Sequence, residues 1–218
     1  MKPAIIYCYD AYCGWCYGFS PVISRLWSFY KETLDFEVLS GGMILPGKPV
    51  HIGATAAYIL QAIPSVEALT GVRFGEDYLW HLHHPEQSDW YPDSRKPAVA
   101  LCIFKEYEPL LQVPFAADIQ HALHAEGRDL DDDEAYRHLL ERYGIPAEDF
   151  YRKLHEEDYQ EKAAYEFALV KQLKVTGFPA VYLQVSESKF YAVAGGYTAY
   201  EDLERTVKAV LLENGIDV

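Results

Sequence analysis

Two cysteines, Cys13 and Cys16 in "DAYCGWCYGF", are the residues best placed to do chemistry, with Gly14 and Trp15 between them. A C-x-x-C can be a redox pair, half of a zinc site, or two packed core thiols. At the start of a helix, unpaired N–H groups and the helix dipole stabilise a thiolate on the first cysteine. The second lies one turn deeper and resolves a mixed disulfide. Gly14 leaves room for a substrate chain, and Trp15 adds an apolar, uncharged surface. A structural zinc site needs four ligands. The remaining two would come from Cys8, Cys102 or a histidine, and none stands at a standard second-pair spacing. The spacing therefore favours redox chemistry and predicts no metal.

The flanking elements must set that pair at a helix start. "PAIIYCY" (3–9) is a short apolar run that reads as a buried strand. After it, Trp15, Phe19, Val22, Ile23, Leu26, Phe29 and Tyr30 recur at helical spacing, so a helix begins near Cys13, with Pro21 as a kink. "LDFEVLSG" (34–41) is a second strand, and the three elements form a βαβ unit. Residues 52–63, 96–107, 114–127 and 131–144 read as helices. Asp131, Asp132 and Asp133 favour the dipole at the start of the last one. Residues 76–96 between the first two read as irregular.

The chain then returns to mixed structure. Residues 159–175 read as a helix, 176–185 as a turn and strand, and "KFYAVAGG" as a further strand. The final helix carries a capping box of Thr198 and Glu201 and ends at Gly215. The expected organisation is an α/β half over 1–42, a helical insertion over 43–158 and a closing αββα half over 159–218. The four strands assemble into one central mixed sheet.

Composition narrows the function. The chain has 218 residues, half of them hydrophobic, and a formal net charge of −14. So acidic a chain is a poor partner for nucleic acid or for an anionic membrane. No apolar run approaches a membrane span, and no signal-peptide pattern precedes the cysteines, so a cytoplasmic location is expected. Cys8 and Cys102 read as buried hydrophobes. His81, His83 and His84 lack supporting ligands and read as a local loop cluster, with Trp80 and Trp90 as candidates for a substrate-facing surface. Asp10 is a supporting candidate beside the thiols, or the N-cap of the helix.

A second motif, "VTGFPAVYL", sets Pro179 ahead of a strand that follows a helix, where a cis bond is admissible. Strand, C-x-x-C helix and strand, followed later by Gly-x-Pro, a hairpin and a final helix, resemble the thioredoxin superfamily. The helical insertion resembles its DsbA branch. "DAYCGWCYG", "DSRKPAVAL" and "EGRDLDDDEAYRHLLERYGI" resemble FrnE-like proteins of that branch. The resemblance implies a thioredoxin-like fold and a protein disulfide oxidoreductase or isomerase. In it Cys13 is the nucleophile, Cys16 resolves, and Pro179, expected cis, faces the thiols. Phe178 offers its backbone to an extended substrate.

The disulfide itself is the redox group, so no bound cofactor is expected, and glutathione is a candidate co-substrate. The partners are protein or small thiol and disulfide substrates. The sequence leaves the oligomeric state open. There are two departures: Gly14 replaces the usual proline, and Tyr7 stands where many relatives bury an acid. The rival readings are a glutathione-dependent enzyme of the 2-hydroxychromene-2-carboxylate isomerase or kappa-class transferase type, which typically has serine at the position of Cys13, and a non-catalytic binding module.

Overall fold

The computed structural model describes residues 2–216. Strand β1 (Ala4–Tyr9) pairs parallel with β2 (Asp35–Ser40) and antiparallel with β3 (Ala180–Ser186), which pairs antiparallel with β4 (Lys189–Gly195). The sheet order is β2-β1-β3-β4, a mixed four-stranded sheet as expected. β1 is central and almost wholly buried because both of its faces are covered. Alternate side chains divide between the faces. Ile6 and Cys8 pack with Leu39, Val170 and Ala180 on one side. Ile5, Tyr7 and Tyr9 join the main core on the other.

Helix α1 (Gly14–Tyr30) follows β1 and buries Cys16, Phe19, Ile23 and Leu26 along one stripe. Pro21 lies inside it. Helix α8 (Glu157–Gln172) packs on β2, and α9 (Tyr200–Glu213) packs on β3, β4 and α1. Between β2 and α8 run α2 (Ala56–Thr70), α3 (Glu76–His83), α4 (Arg95–Tyr107), α5 (Gln112–His124), α6 (Arg137–Tyr143) and α7 (Ala147–Leu154). α5 packs on α1 and β2, so the helical block and the sheet share one core.

Three local expectations differ from the structure. Residues 76–83 are helical, not irregular. Glu76 and Asp77 occupy the first turn, and Tyr78 and Leu82, four residues apart, form the buried face. The acidic run 131–133 does not open an α-helix: the chain makes a 3-10 turn over Asp133–Tyr136 before α6, with Asp132 accepting from the Glu134 N–H. The capping box of Thr198 and Glu201 does not form. α9 starts at Tyr200, Thr198 Oγ1 donates to the Gly196 carbonyl, and Glu201 pairs with Arg25 at 3.2 Å.

Candidate active site

Cys13 is the N-cap residue of α1, in extended conformation, and its carbonyl accepts the Tyr17 N–H. This position places Cys13 at the positive end of the helix. Cys16, one turn on, is fully buried. Both thiols are free. The hydrogen bond from the Cys16 thiol lowers the pKa of Cys13. Burial opposes this, the N–H groups of Cys16 and Trp15 assist, and the charge of Asp10 opposes. Burial, followed by its bond to Cys13, holds Cys16 well above the usual thiol range. The pair therefore splits into an ionisable outer sulfur and a protonated inner one.

The loop before β3 meets this pair from the other half of the chain. The Phe178–Pro179 bond is cis. Cys13 Sγ lies 3.7 Å from the Phe178 carbonyl oxygen, within reach of thiol donation. The Phe178 ring crosses the end of β2 so closely that a Cβ on Gly41 would stand 2.1 Å from it. Gly41 is thus the residue that lets Phe178 lie where it does.

Asp10 is not the helix cap: no side chain caps α1. Its buried carboxyl accepts from the Tyr12 N–H at 3.0 Å, the Met43 N–H at 2.7 Å and Ser94 Oγ at 3.0 Å. Burial raises its pKa, and these three bonds pull it back. Its carbonyl accepts from the Cys13 N–H and from Gln120 Nε2. Asp10 therefore shapes the turn that presents Cys13 and binds it to the helical block.

A cavity of about 310 Å³ opens beside Cys13, Gly14 and Trp15, lined among others by Met43, Tyr58, Ile59 and Phe74. Apart from the ionisable Cys13 sulfur, none of its lining residues carries a charge. Phe74 approaches where a Gly14 Cβ would be, at 3.4 Å, so the small residue between the cysteines widens the mouth. Behind Phe74 and Tyr78, His124 packs among aromatic rings, with centroids 5.4 and 5.0 Å away. Its nitrogens make no hydrogen bond of regular geometry. Burial holds its pKa at about 3, although the Ala11 backbone pulls it up. The imidazole is neutral at physiological pH.

Trp80 and Trp90 do not line this cavity. Trp90 is buried and stacks on His81 at 3.8 Å. His81 and His83 belong to α3 and His84 follows it, and no metal-binding cluster occurs among the described residues. Cys8 and Cys102 are buried, as expected. A larger cleft of about 580 Å³ lies away from the C-x-x-C, beside Cys102, Lys105 and Glu166. Lys105 is there committed to Glu166 at 2.7 Å and Glu37 at 2.6 Å. Its sulfur is also the less reactive: burial, then the charge of Glu166, drives the Cys102 pKa far up. The largely apolar cavity at Cys13 is the better candidate site, despite its smaller volume.

Comparison with known proteins agrees with this geometry. Residues 4–208 match the DSBA-like thioredoxin domain. No curated protein sequence matches. Among solved structures, a candidate protein disulfide isomerase from Nitrosomonas europaea superposes with a TM-score of 0.82 at 25% identity, covering 98% of this chain and 99% of that one. The cytosolic disulfide reductase DsbM from Pseudomonas aeruginosa superposes with a TM-score of 0.75 at 25% identity, covering 96% and 99%. DsbM has also been solved with GSH. A 2-hydroxychromene-2-carboxylate isomerase shares the fold, with a TM-score of 0.65 at 13% identity over 97% of this chain and 98% of that one. Nearly the whole chain, cysteine turn and cis-proline loop included, belongs to the DSBA-like thioredoxin domain family.

Proposed function

We propose that this protein is a thiol–disulfide oxidoreductase in which Cys13 attacks and Cys16 resolves. The observation that carries the reading is the unequal pair. Cys13 has a lowered pKa at a helix start, in contact with the cis-Pro179 loop, while Cys16 beneath it keeps its proton. The Cys13 thiolate attacks a substrate disulfide, and one substrate sulfur leaves as a thiolate. Cys16 then gives up its proton and attacks Cys13 Sγ. The Cys13–Cys16 disulfide forms, and the second substrate sulfur leaves with the bonding electron pair. Two electrons pass from the dithiol to the substrate, and the reverse sequence oxidises a substrate dithiol.

The backbone of Phe178 lies beside the attacking sulfur and offers an extended substrate an edge to pair with. Gly14 and Trp15 form the adjoining surface. Asp10 acts through the Cys13 turn as a positioning residue. The disulfide supplies the redox chemistry, so no bound cofactor or metal takes part. Disulfide reduction in the cytoplasm, as in DsbM, is the form of the activity we favour, with a protein or small thiol as partner and glutathione as a candidate reductant. The net charge of −14 speaks against a nucleic-acid or anionic-membrane partner. No helix among the described residues is long and apolar enough to cross a membrane. The intact Cys13 weighs against the isomerase and transferase reading, whose enzymes typically carry serine there.

A redox titration of the Cys13–Cys16 pair, with the thiolate pKa and insulin-reduction and refolding assays, tests the reading. A depressed Cys13 pKa with turnover is expected. A pKa in the range of free cysteine, with neither activity, overturns it.

A further inference from the structure

Gln120 is a fully buried amide on α5, the helix of the inserted block that packs on α1. Both ends of its side chain are engaged. Nε2 donates to the Asp10 carbonyl at 3.2 Å, and Oε1 accepts from Ser20 Oγ at 2.6 Å. A carbonyl can only accept, so the atom that faces Asp10 is the amide nitrogen. The two partners bracket the cysteines, Asp10 on the chain before Cys13 and Ser20 on α1 after Cys16. One side chain from a distant helix thus holds the C-x-x-C segment at both ends.

The Asp10 carbonyl is where this contact meets the chemistry. Its other donor is the Cys13 N–H, at 3.1 Å, which closes the turn from Asp10 to Cys13. That turn leaves Cys13 extended at the N-cap of α1. There the Cys16 thiol favours the Cys13 thiolate, and against burial the N–H groups of Cys16 and Trp15 assist. Two donors fill the two lone pairs of the carbonyl. Removing Gln120 therefore frees a buried acceptor beside the bond that shapes the turn. Ser20 is not left stranded by the same loss, because the Cys16 carbonyl lies 3.2 Å from its hydroxyl. The consequence falls on the cysteine turn.

We propose that Gln120 is a positioning residue for the attacking sulfur: by holding the Asp10 carbonyl from α5, it keeps the turn that presents Cys13 as a reactive thiolate. Gln120 does not line the cavity, and it acts through Asp10. The helical insertion then sets the reactivity of the nucleophile as well as supplying the wall that faces it. This inference rests on the oxidoreductase reading and adds to it the residue that ties the inserted block to the cysteine turn.

The test is the pH profile of Cys13 alkylation by iodoacetamide in the full chain, read by peptide mass spectrometry. Gln120→Leu keeps most of the volume and loses both hydrogen bonds. It is expected to move the midpoint of the profile up by about one pH unit, as for one lost hydrogen bond, so that alkylation on the acid limb slows about tenfold. In Gln120→Glu, burial keeps the carboxyl protonated, so its O–H donates to Asp10 and its other oxygen accepts from Ser20. That variant is expected to return the midpoint to within about 0.3 pH unit of the parent below about pH 7. Should Gln120→Leu fold poorly, Gln120→Asn, an amide one methylene too short to span both partners, is expected to shift the midpoint in the same direction. Cys8 and Cys102 are expected to stay unreactive in each variant. An unchanged midpoint in Gln120→Leu or Gln120→Asn overturns the assignment. An equal shift in Gln120→Leu and Gln120→Glu also overturns it, since that marks packing alone, as does new reactivity at Cys8 and Cys102, which marks a loosened core. A parent profile in the range of free cysteine, with no turnover, would instead overturn the underlying oxidoreductase reading.

Discussion

Cys8 and Cys13 lie on one short stretch of chain, both buried, and their chemistry is opposite. Cys8 sits in mid-strand, where burial and then the charge of Glu166 push its pKa up to about 12. Cys13 ends the turn after that strand, and the Cys16 hydrogen bond and the helix N–H groups bring its pKa down. Cys102, beside Glu166, behaves like Cys8. Burial alone therefore does not decide the state of a thiol. At Cys13 donated hydrogen bonds offset burial, whereas at Cys8 and Cys102 burial is the largest cause and the charge of Glu166 adds to it.

The sharpest way to break this contrast is alkylation of the native protein with iodoacetamide near pH 7, read by peptide mass spectrometry. Cys13 is expected to react roughly a thousandfold faster than Cys8 or Cys102, since thiolate fraction falls tenfold per pKa unit. Modification of all three at similar rates would erase the distinction. The Cys13 rate is also expected to rise with pH and level off before the usual thiol range, because the thiolate is the reacting form.

On the unreactive side, Glu166 accepts from Lys105, Cys102 and the Ser40 N–H. Glu166→Ala leaves a buried ammonium with the more exposed Glu37 as its remaining carboxylate. Chemical denaturation is expected to show a loss of about 3 kcal/mol. A loss under about 0.5 kcal/mol would mean that Lys105 is held by Glu37 alone.

On the reactive side, His124 lies in the aromatic wall behind the cavity. Its folded pKa of about 3 lies below the unfolded value near 6.5. The unfolded chain binds the extra proton between those values, so stability rises with pH across that window and falls as acid is added. His124→Phe is expected to flatten that slope, leaving the variant about 2 kcal/mol less acid-sensitive than the parent at pH 5. Parallel acid-unfolding curves would count against a buried neutral imidazole.

The smallest effect is expected at the cavity mouth. Ile59→Glu sets a carboxylate in a wall that has no charge. It is expected to lower kcat/KM for an apolar disulfide about tenfold. An unchanged kcat/KM would remove α2 from the substrate surface.

The strand, the C-x-x-C turn and the Gly-Phe-Pro loop were legible because each is written in a few adjacent residues. Apolar run, cysteine spacing and proline survive any tertiary context. The cavity wall was not legible. Tyr58, Phe74 and Tyr78 come from α2, the following loop and α3, and only folding brings them to Cys13. The Asp10 cap and the Thr198 capping box failed for one reason. Both residues have the right type at the right offset, but other partners claim the groups. Ser94 and Met43 take the Asp10 carboxyl, and Arg25 takes Glu201. Helix α3 was missed because its polar face, rich in histidine and acid, hides a two-residue buried stripe.

Asp10 joins four distant stretches of chain at one point: its own turn, residue 43, residue 94 and residue 120. For protein engineering this divides the molecule into a fixed joint and a replaceable face. Tyr58, Ile59 and Ala62 lie on α2, outside that joint, and look onto Cys13. A combinatorial library confined to those positions changes what the thiols meet while the geometry that makes them reactive stays as it is.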